Sequence, residues 1–180
     1  MREKRFEHFY ESADDIPLIL DSYDDLFSDF DPRPYHERAM SGDFLFECKK
    51  ASIDKRKKIH LRLFIPKAKR NHIDEVKIKK RMIEHFHKHF MEKKREISKI
   101  KLNGFSWFIA GSIMLLLSAL LLKGDGSSLW HTVLYTFISP GGWFFMWEGL
   151  GKIFMISDEK KGEYNFYKKM SNALISFTNY

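Results

Sequence analysis

The chain has 180 residues, 44 % of them hydrophobic, with 31 Lys+Arg against 24 Asp+Glu and a formal net charge of +7. Its one cysteine, Cys48, excludes an internal disulfide framework and fits a reducing side. Two long apolar runs take about 50 residues, and the roughly 130 that remain are enough for one small soluble domain but not two.

The net charge hides a segregation. Residues 1–47 hold 5 Lys+Arg and 13 Asp+Glu, a net of −8. Residues 48–101 hold 20 and 6, a net of +14, and residues 102–180 hold 6 and 5, a net of +1. The basic block leads directly into the first apolar run.

Met1-Arg-Glu-Lys-Arg-Phe-Glu-His8 lacks the apolar core of a signal peptide, so the later apolar hairpin is expected to direct insertion itself. Residues 6–15 read as a charged, partly helical lead-in. Ile16-Pro-Leu-Ile-Leu20 is short and β-leaning, and Pro17 suits a strand start or an edge. Asp21 or Ser22 can cap a helix through Tyr23, Leu26, Phe27 and Phe30, which Asp31-Pro-Arg-Pro34 ends. Ser41 or Asp43 can start a second helix through Phe44, Leu45, Cys48 and Ile53. Residues 59–65 alternate apolar and basic side chains, the pattern of a strand with one buried face.

From Ile73 the period becomes helical through Val76, Met82, Ile83, Phe86, Phe90, Ile97 and Ile100, with Asp74 and Glu75 in the first turn, where the helix dipole favours them. No Pro intervenes before Pro140. One helix, bent at Gly104, can therefore run on through the uncharged stretch 105–122, about 75 Å in all at about 1.5 Å per residue. A short polar loop at 123–128 precedes a second apolar run at 129–150, which carries only His131 and Glu148 as ionisable groups besides its aromatics. Ser139-Pro-Gly-Gly142 is expected to break that run near its middle. Trp143 and Trp147 are placed at one membrane interface and Trp130 at the other. A charged helix to about Met170 and a strand at 173–178 complete the chain.

The fold class that follows is α+β: a transmembrane helical hairpin plus a small cytoplasmic domain with three short strands, at 16–20, 59–65 and 173–178. The division is 1–101 cytoplasmic α/β domain, 102–156 hairpin, and 157–180 a tail returning to the soluble domain. Lysines flank the outer ends of the hairpin, which places both termini in the cytoplasm and the chain in the cell (inner) membrane with two spans.

Three pieces together carry a resemblance. They are the run 16–38, with its Asp31-Pro-Arg-Pro-Tyr-His-Glu37 segment; Leu61-Arg-Leu-Phe-Ile-Pro66 followed by a helix bearing His89-Phe90; and Gly142-Trp-x4-Glu148. The chain resembles an uncharacterised bacterial family of small two-span membrane proteins with a cytoplasmic α/β domain. Residues 51–58 are shorter and more basic than that pattern. The resemblance implies architecture alone and brings no activity or site residue.

Several constellations invite chemistry. Glu148 at membrane depth suits an ion ligand or proton carrier, or else a surface pair with Lys152. Pro140, Gly141 and Gly142 suit a gating hinge or a packing kink. Ser106-x3-Ala110, with Gly111, Ser118 and Ala119 nearby, permits close helix approach. Lys93, Lys94, Arg95, Lys99 and Lys101 form a juxtamembrane cluster for anionic headgroups; the basic block as a whole can instead fold against the acidic N-terminal segment, and nucleic acid is the less favoured partner. His85, His87 and His89 lack the further ligands of a zinc site. Asp24, Asp25, Asp29 and Asp31 fail the EF-hand pattern at Arg33 and Pro34. There is no P-loop, no Gly-x-Ser-x-Gly and no nucleophile with a base. The expectation is a non-enzymatic membrane protein without cofactors, a homo-oligomeric scaffold or pore-like assembly with a cytoplasmic cap. The alternative is a tethered sensor or binding module whose basic helix reads anionic lipid or an acidic partner.

Overall fold

The computed structural model describes residues 14–55, 58–123 and 128–180. The lead-in expected over 6–15 lies almost wholly outside the described residues, as does most of the loop at 123–128. The fold is mixed α and β, with three parallel strands and one long helix that is apolar toward its C-terminal end.

Strands β1 (Asp15–Ile19), β2 (His60–Ile65) and β3 (Leu174–Asn179) lie in the order β1-β2-β3, with Ile16 opposite Leu61 and Leu61 opposite Ile175. Parallel neighbours need long crossovers. The first crossover holds helix α1 (Gly42–Ser52), and the second holds all the remaining helices, which is why the last strand arrives from the far end of the sequence. Ile16, Leu61, Leu63, Ile65, Ile175 and Phe177 share one sheet face and belong to a core that includes Phe44 and Cys48 of α1. Ile78, Met82 and Phe86, spaced four apart on the long helix, belong to the same core, as do Phe166 and Met170 near the C-terminus.

The alternating reading of β2 needs correcting. Phe64, on the face expected to be open, is 2 % exposed, and the Arg62 side chain is 12 % exposed. A central strand of a parallel sheet is covered on both faces, so alternation under-reports its burial. The helix expected through Phe30 is only a 3-10 turn, Tyr23–Leu26. Ser22 caps that turn and the Asp25 carboxylate accepts from the Asp21 and Ser22 N–H groups, while Phe30 stands 97 % exposed. Asp31 then closes the Pro-rich loop, accepting from the Arg33 guanidinium at 2.9 and 2.7 Å and from Ala39 N–H at 2.7 Å. These hydrogen bonds, Arg33 first, hold its carboxyl well below the usual carboxylate range. Ile53, expected on the inner face of α1, lies beyond its end and is 70 % exposed.

Helix α2 (His72–Leu122) is 51 residues long. Helix α3 (Leu129–Gly151) runs straight through Pro140, so the break expected at 139–142 does not occur. The irregularity comes later, as a π-helical segment Lys152–Ile156, followed by α4 (Ser157–Glu159) and α5 (Lys161–Met170). The chain forms two compact units. One takes residues Met1–Met91 and Tyr164–Tyr180, and the other takes Glu92–Glu163. The division falls inside α2, ten residues before the hydropathy boundary at 101/102.

Candidate membrane interface

Residues 92–163 form an antiparallel helix pair from the apolar end of α2 and all of α3. Glycines set its spacing. A Cβ on Gly104 would stand 2.8 Å from Gly149 O, and one on Gly149 would stand 2.6 Å from Gly104 O. A Cβ on Gly111 would stand 2.6 Å from Gly142 O, and one on Gly142 would stand 3.1 Å from Gly111 O. Each helix thus contributes two glycines seven residues apart, and they face each other reciprocally. A seven-residue interval returns to the same helix face after two turns, so both pairs fall on one seam. Ser118, one further heptad along α2, is also buried. Ser106 and Ala119 point away from this seam, so the small-residue face is Gly104, Gly111 and Ser118 rather than Ser106-x3-Ala110. Trp107 stacks on Phe145 at 4.7 Å beside the seam.

Outside the seam the pair is apolar. Leu102, Phe105, Ile113, Leu116, Leu120 and Leu122 of α2, and Trp130, Phe137, Phe144 and Trp147 of α3, are all at least half exposed. α2 is the one helix among the described residues that is long and apolar enough to cross a membrane, and only 11 % of its apolar window is buried. A core helix of a soluble protein buries most of such a window. α3 falls short because its Trp, Tyr, His, Pro and Gly residues dilute the apolar side chains.

The residues singled out in the second run have ordinary surroundings here. Glu148 accepts an ion pair from Lys152 at 3.1 Å, and the same Nζ sits 4.1 Å from the centre of the Trp107 ring. One ammonium thus serves a carboxylate and an aromatic face together. Pro140 is exposed, Gly141 packs against the Met114 side chain, and Gly142 is part of the seam. The hydroxyls of α2 turn inward on their own helix: Ser106 donates to Leu102 O, Ser112 to Phe108 O and Ser118 to Leu115 O.

The basic cluster divides. Lys93 is bound to Glu163 at 2.7 Å and Glu96 at 3.3 Å, and Lys160 reaches Glu96 at 3.5 Å. The Glu163 hydrogen bond holds the Lys93 ammonium above its ordinary pKa. Lys94, Arg95, Lys99 and Lys101 are exposed and form no ion pair among the described residues. They cover the two turns of α2 that lead into its apolar stretch, next to exposed Leu102. Phe154, Met155 and Ile156 of the π-helical segment are also exposed. This second apolar patch, beyond Lys152, lies inside the hairpin expected over 102–156 but past the apolar run at 129–150.

The sheet unit carries polar clusters of its own. Buried Glu75 accepts two hydrogen bonds from Arg70, at 2.8 and 3.0 Å, and one from the Tyr23 hydroxyl at 3.1 Å. Burial pushes its pKa up, but Arg70 and Tyr23 outweigh burial and leave it lowered. Across the sheet, buried Asp15 meets Arg62 at 3.4 Å and His60 at 3.5 Å, and the other nitrogen of His60 lies 2.7 Å from Ser176 Oγ. The residue types are those of an acyl-transfer triad, but the serine stands on a flat strand rather than a strand-to-helix turn. No oxyanion donors accompany it among the described residues, and Arg62 competes for the carboxylate. The cluster locks three strands together. His85 and His89 meet edge to face at 4.4 Å, and His85 Nε2 is enclosed without a hydrogen-bond partner among the described residues. No group of three His, Cys, Asp or Glu suited to a metal occurs among the described residues. A cleft of about 370 Å³ is lined by Asp24, Arg33, Tyr35, His36 and Lys77, but its arginines are committed to Asp31 and Asp24. No family model, curated protein or solved structure matches the chain.

Proposed function

We propose that this chain is a two-span integral membrane protein with both termini in the cytoplasm, working as a homo-oligomeric scaffold that holds its α+β unit at the inner membrane face. The observation that carries the reading is a helix apolar enough to cross a bilayer with only 11 % of its apolar window buried. The antiparallel partner α3 suits the same environment, because its exposed surface is also apolar, with Trp130, Leu134, Phe137 and Phe144. Lipid satisfies both faces at no cost to the backbone, whose hydrogen bonds close within each helix. A conducting pore is the weaker form of assembly, because the serines of α2 are spent on their own backbone.

The second reading, a tethered module that senses anionic lipid or an acidic partner, is favoured by Lys94, Arg95, Lys99 and Lys101. Four unpaired cations next to an apolar helix attract anionic headgroups by about 1 kcal/mol each. The two readings share one immersion test. In vesicles containing bromine-labelled lipid, the fluorescence of Trp130, Trp143 and Trp147 is expected to be strongly quenched. Quenching no greater than for a soluble tryptophan analogue would sink both. Mass in mild detergent then separates them: a multimer supports the scaffold, and a monomer at all concentrations leaves the sensor.

A further inference from the structure

Among the described residues the sheet has two edges with no further strand, and only one is guarded. On β1, Leu20 N–H donates to Phe64 O and His60 N–H donates to Asp14 O. Alternate residues of a parallel ladder face the neighbour, so Asp15, Pro17 and Ile19 direct their backbone groups outward. The middle one, Pro17, has no N–H to offer, which blunts that edge. On β3, Leu174 N–H donates to Ile59 O at 2.9 Å and Tyr180 N–H donates to Ile65 O at 3.3 Å. The outward set there is Ile175, Phe177 and Asn179. No proline and no charged residue occurs from Ala173 to Tyr180. An edge with three donors and three acceptors and no guard is a template for another strand.

We infer that the outer edge of β3 is a self-association surface, where two copies pair β3 with β3 antiparallel about a twofold axis through Phe177. This rests on the oligomeric reading above and names the surface it would use. The strand is complementary to itself in that register. Phe177 pairs with Phe177 of the second copy and Ile175 with Asn179, so every outward N–H and C=O of both strands is used in six hydrogen bonds. No like charges meet, because the strand has none. The Ile175 and Phe177 side chains, 7 % and 8 % exposed, stay in their own core, so pairing asks only for backbone groups. A strand from another protein would have to supply the same groups without this symmetry, and confinement of both copies to one membrane raises their effective concentration. The product is a six-stranded sheet with Pro17 guarding both of its outer edges.

The test uses the full chain in membranes, carrying Ser176→Cys with Thr178→Cys. In the twofold register residue 176 faces residue 178 of the second copy in a non-hydrogen-bonded pair, about 4.5 Å apart at Cα and within disulfide reach. Cys48 is 0 % exposed and adds no background. Mild oxidation is expected to convert most of the double variant to a linked dimer, and Ser176→Cys alone to far less. No dimer, or equal dimer from both, overturns the proposal and leaves the edge to some other strand or to none. Should the cysteine pair unfold the sheet, Asn179→Pro removes one outward donor without touching the ladder to β2, and the dimer fraction is then expected to fall. An unchanged fraction overturns the proposal equally. Carbonate washing of the same membranes keeps the two readings apart. Chain retained but unlinked refutes the edge alone, and chain washed off refutes the membrane reading while the cross-link is scored in solution.

Discussion

His85 is a base that the fold keeps discharged. Burial first, then the neighbouring His89, Arg81 and Lys88, hold it down to about 4 from an ordinary 6.5. Between those values the unfolded chain takes up a proton that the native chain refuses, so stability rises with pH across that window and is lost as pH falls through it. The melting temperature is expected to drop from pH 7 toward pH 4, and His85→Leu is expected to drop less. Since Nε2 has no partner among the described residues, the variant gives up no hydrogen bond described there at neutral pH. Equal pH profiles for the two proteins would refute the assignment. Cys48 shows the same burial with the opposite sign, because a thiol ionises to an anion. Burial and then Glu47 push it up to about 12, so a maleimide is expected to label it only after denaturation. The sequence placed Cys48 on an inner helix face from its spacing to Phe44. The burial of His85 was not legible, because its period-two spacing with His87 and His89 reads as a solvated face; in the fold its ring neighbours Phe86 and His89 meet Phe166 and Tyr167.

The glycine seam makes its prediction at the level of elements. Gly111→Ala puts a Cβ 2.5 Å from Met146 N and 2.6 Å from Gly142 O, both backbone atoms that cannot turn aside. The helices must separate, at a cost of about 1–3 kcal/mol as for overpacking elsewhere. Gly162→Ala meets nothing within 4 Å and serves as the control. A lowered midpoint of unfolding in sodium dodecyl sulfate for Gly111→Ala but not for Gly162→Ala is the expected result. The seam was open to a closer reading, since 104 and 111, and 142 and 149, are each seven apart. The shorter small-x3-small pattern at Ser106 and Ala110 drew attention first. Elements with strong periodicity were legible: the three strands lie within one residue of their expected places, and the long helix begins within one. The break expected at Pro140 failed for a local reason. Proline removes one hydrogen bond from a helix whose remaining bonds and flanking packing are intact, whereas the π-helical segment after Gly151 breaks no composition rule and left no trace in the residues.

At the scale of the whole molecule, the proposed two-span arrangement makes charge the determinant of orientation. Lys94, Arg95, Lys99 and Lys101 lie within about 15 residues of the apolar stretch, the range over which basic side chains hold a segment on the cytoplasmic side. The acidic block at 1–47 cannot counter them, since Asp and Glu contribute little to orientation, and two of its carboxylates are engaged locally, Asp24 by Arg38 and Asp31 by Arg33. Replacing all four with Gln removes about 4 kcal/mol of headgroup attraction. It leaves Lys93 in place, and Lys93 is already held by Glu163 and Glu96. A reporter at the far end of the pair, Ser128→Cys, reads the outcome with a membrane-impermeant maleimide on intact cells. With the basic belt present, the reporter is expected to be labelled from outside. With the belt neutralised, a large part of the population is expected to lose that labelling, because the basic residues nearest the pair are then Lys93, Lys152, Lys160 and Lys161, and all four are already paired with acidic residues. Full labelling in both proteins would mean that something other than the belt sets the topology. Absent labelling in the parent would place the tip of the pair inside and reverse the arrangement.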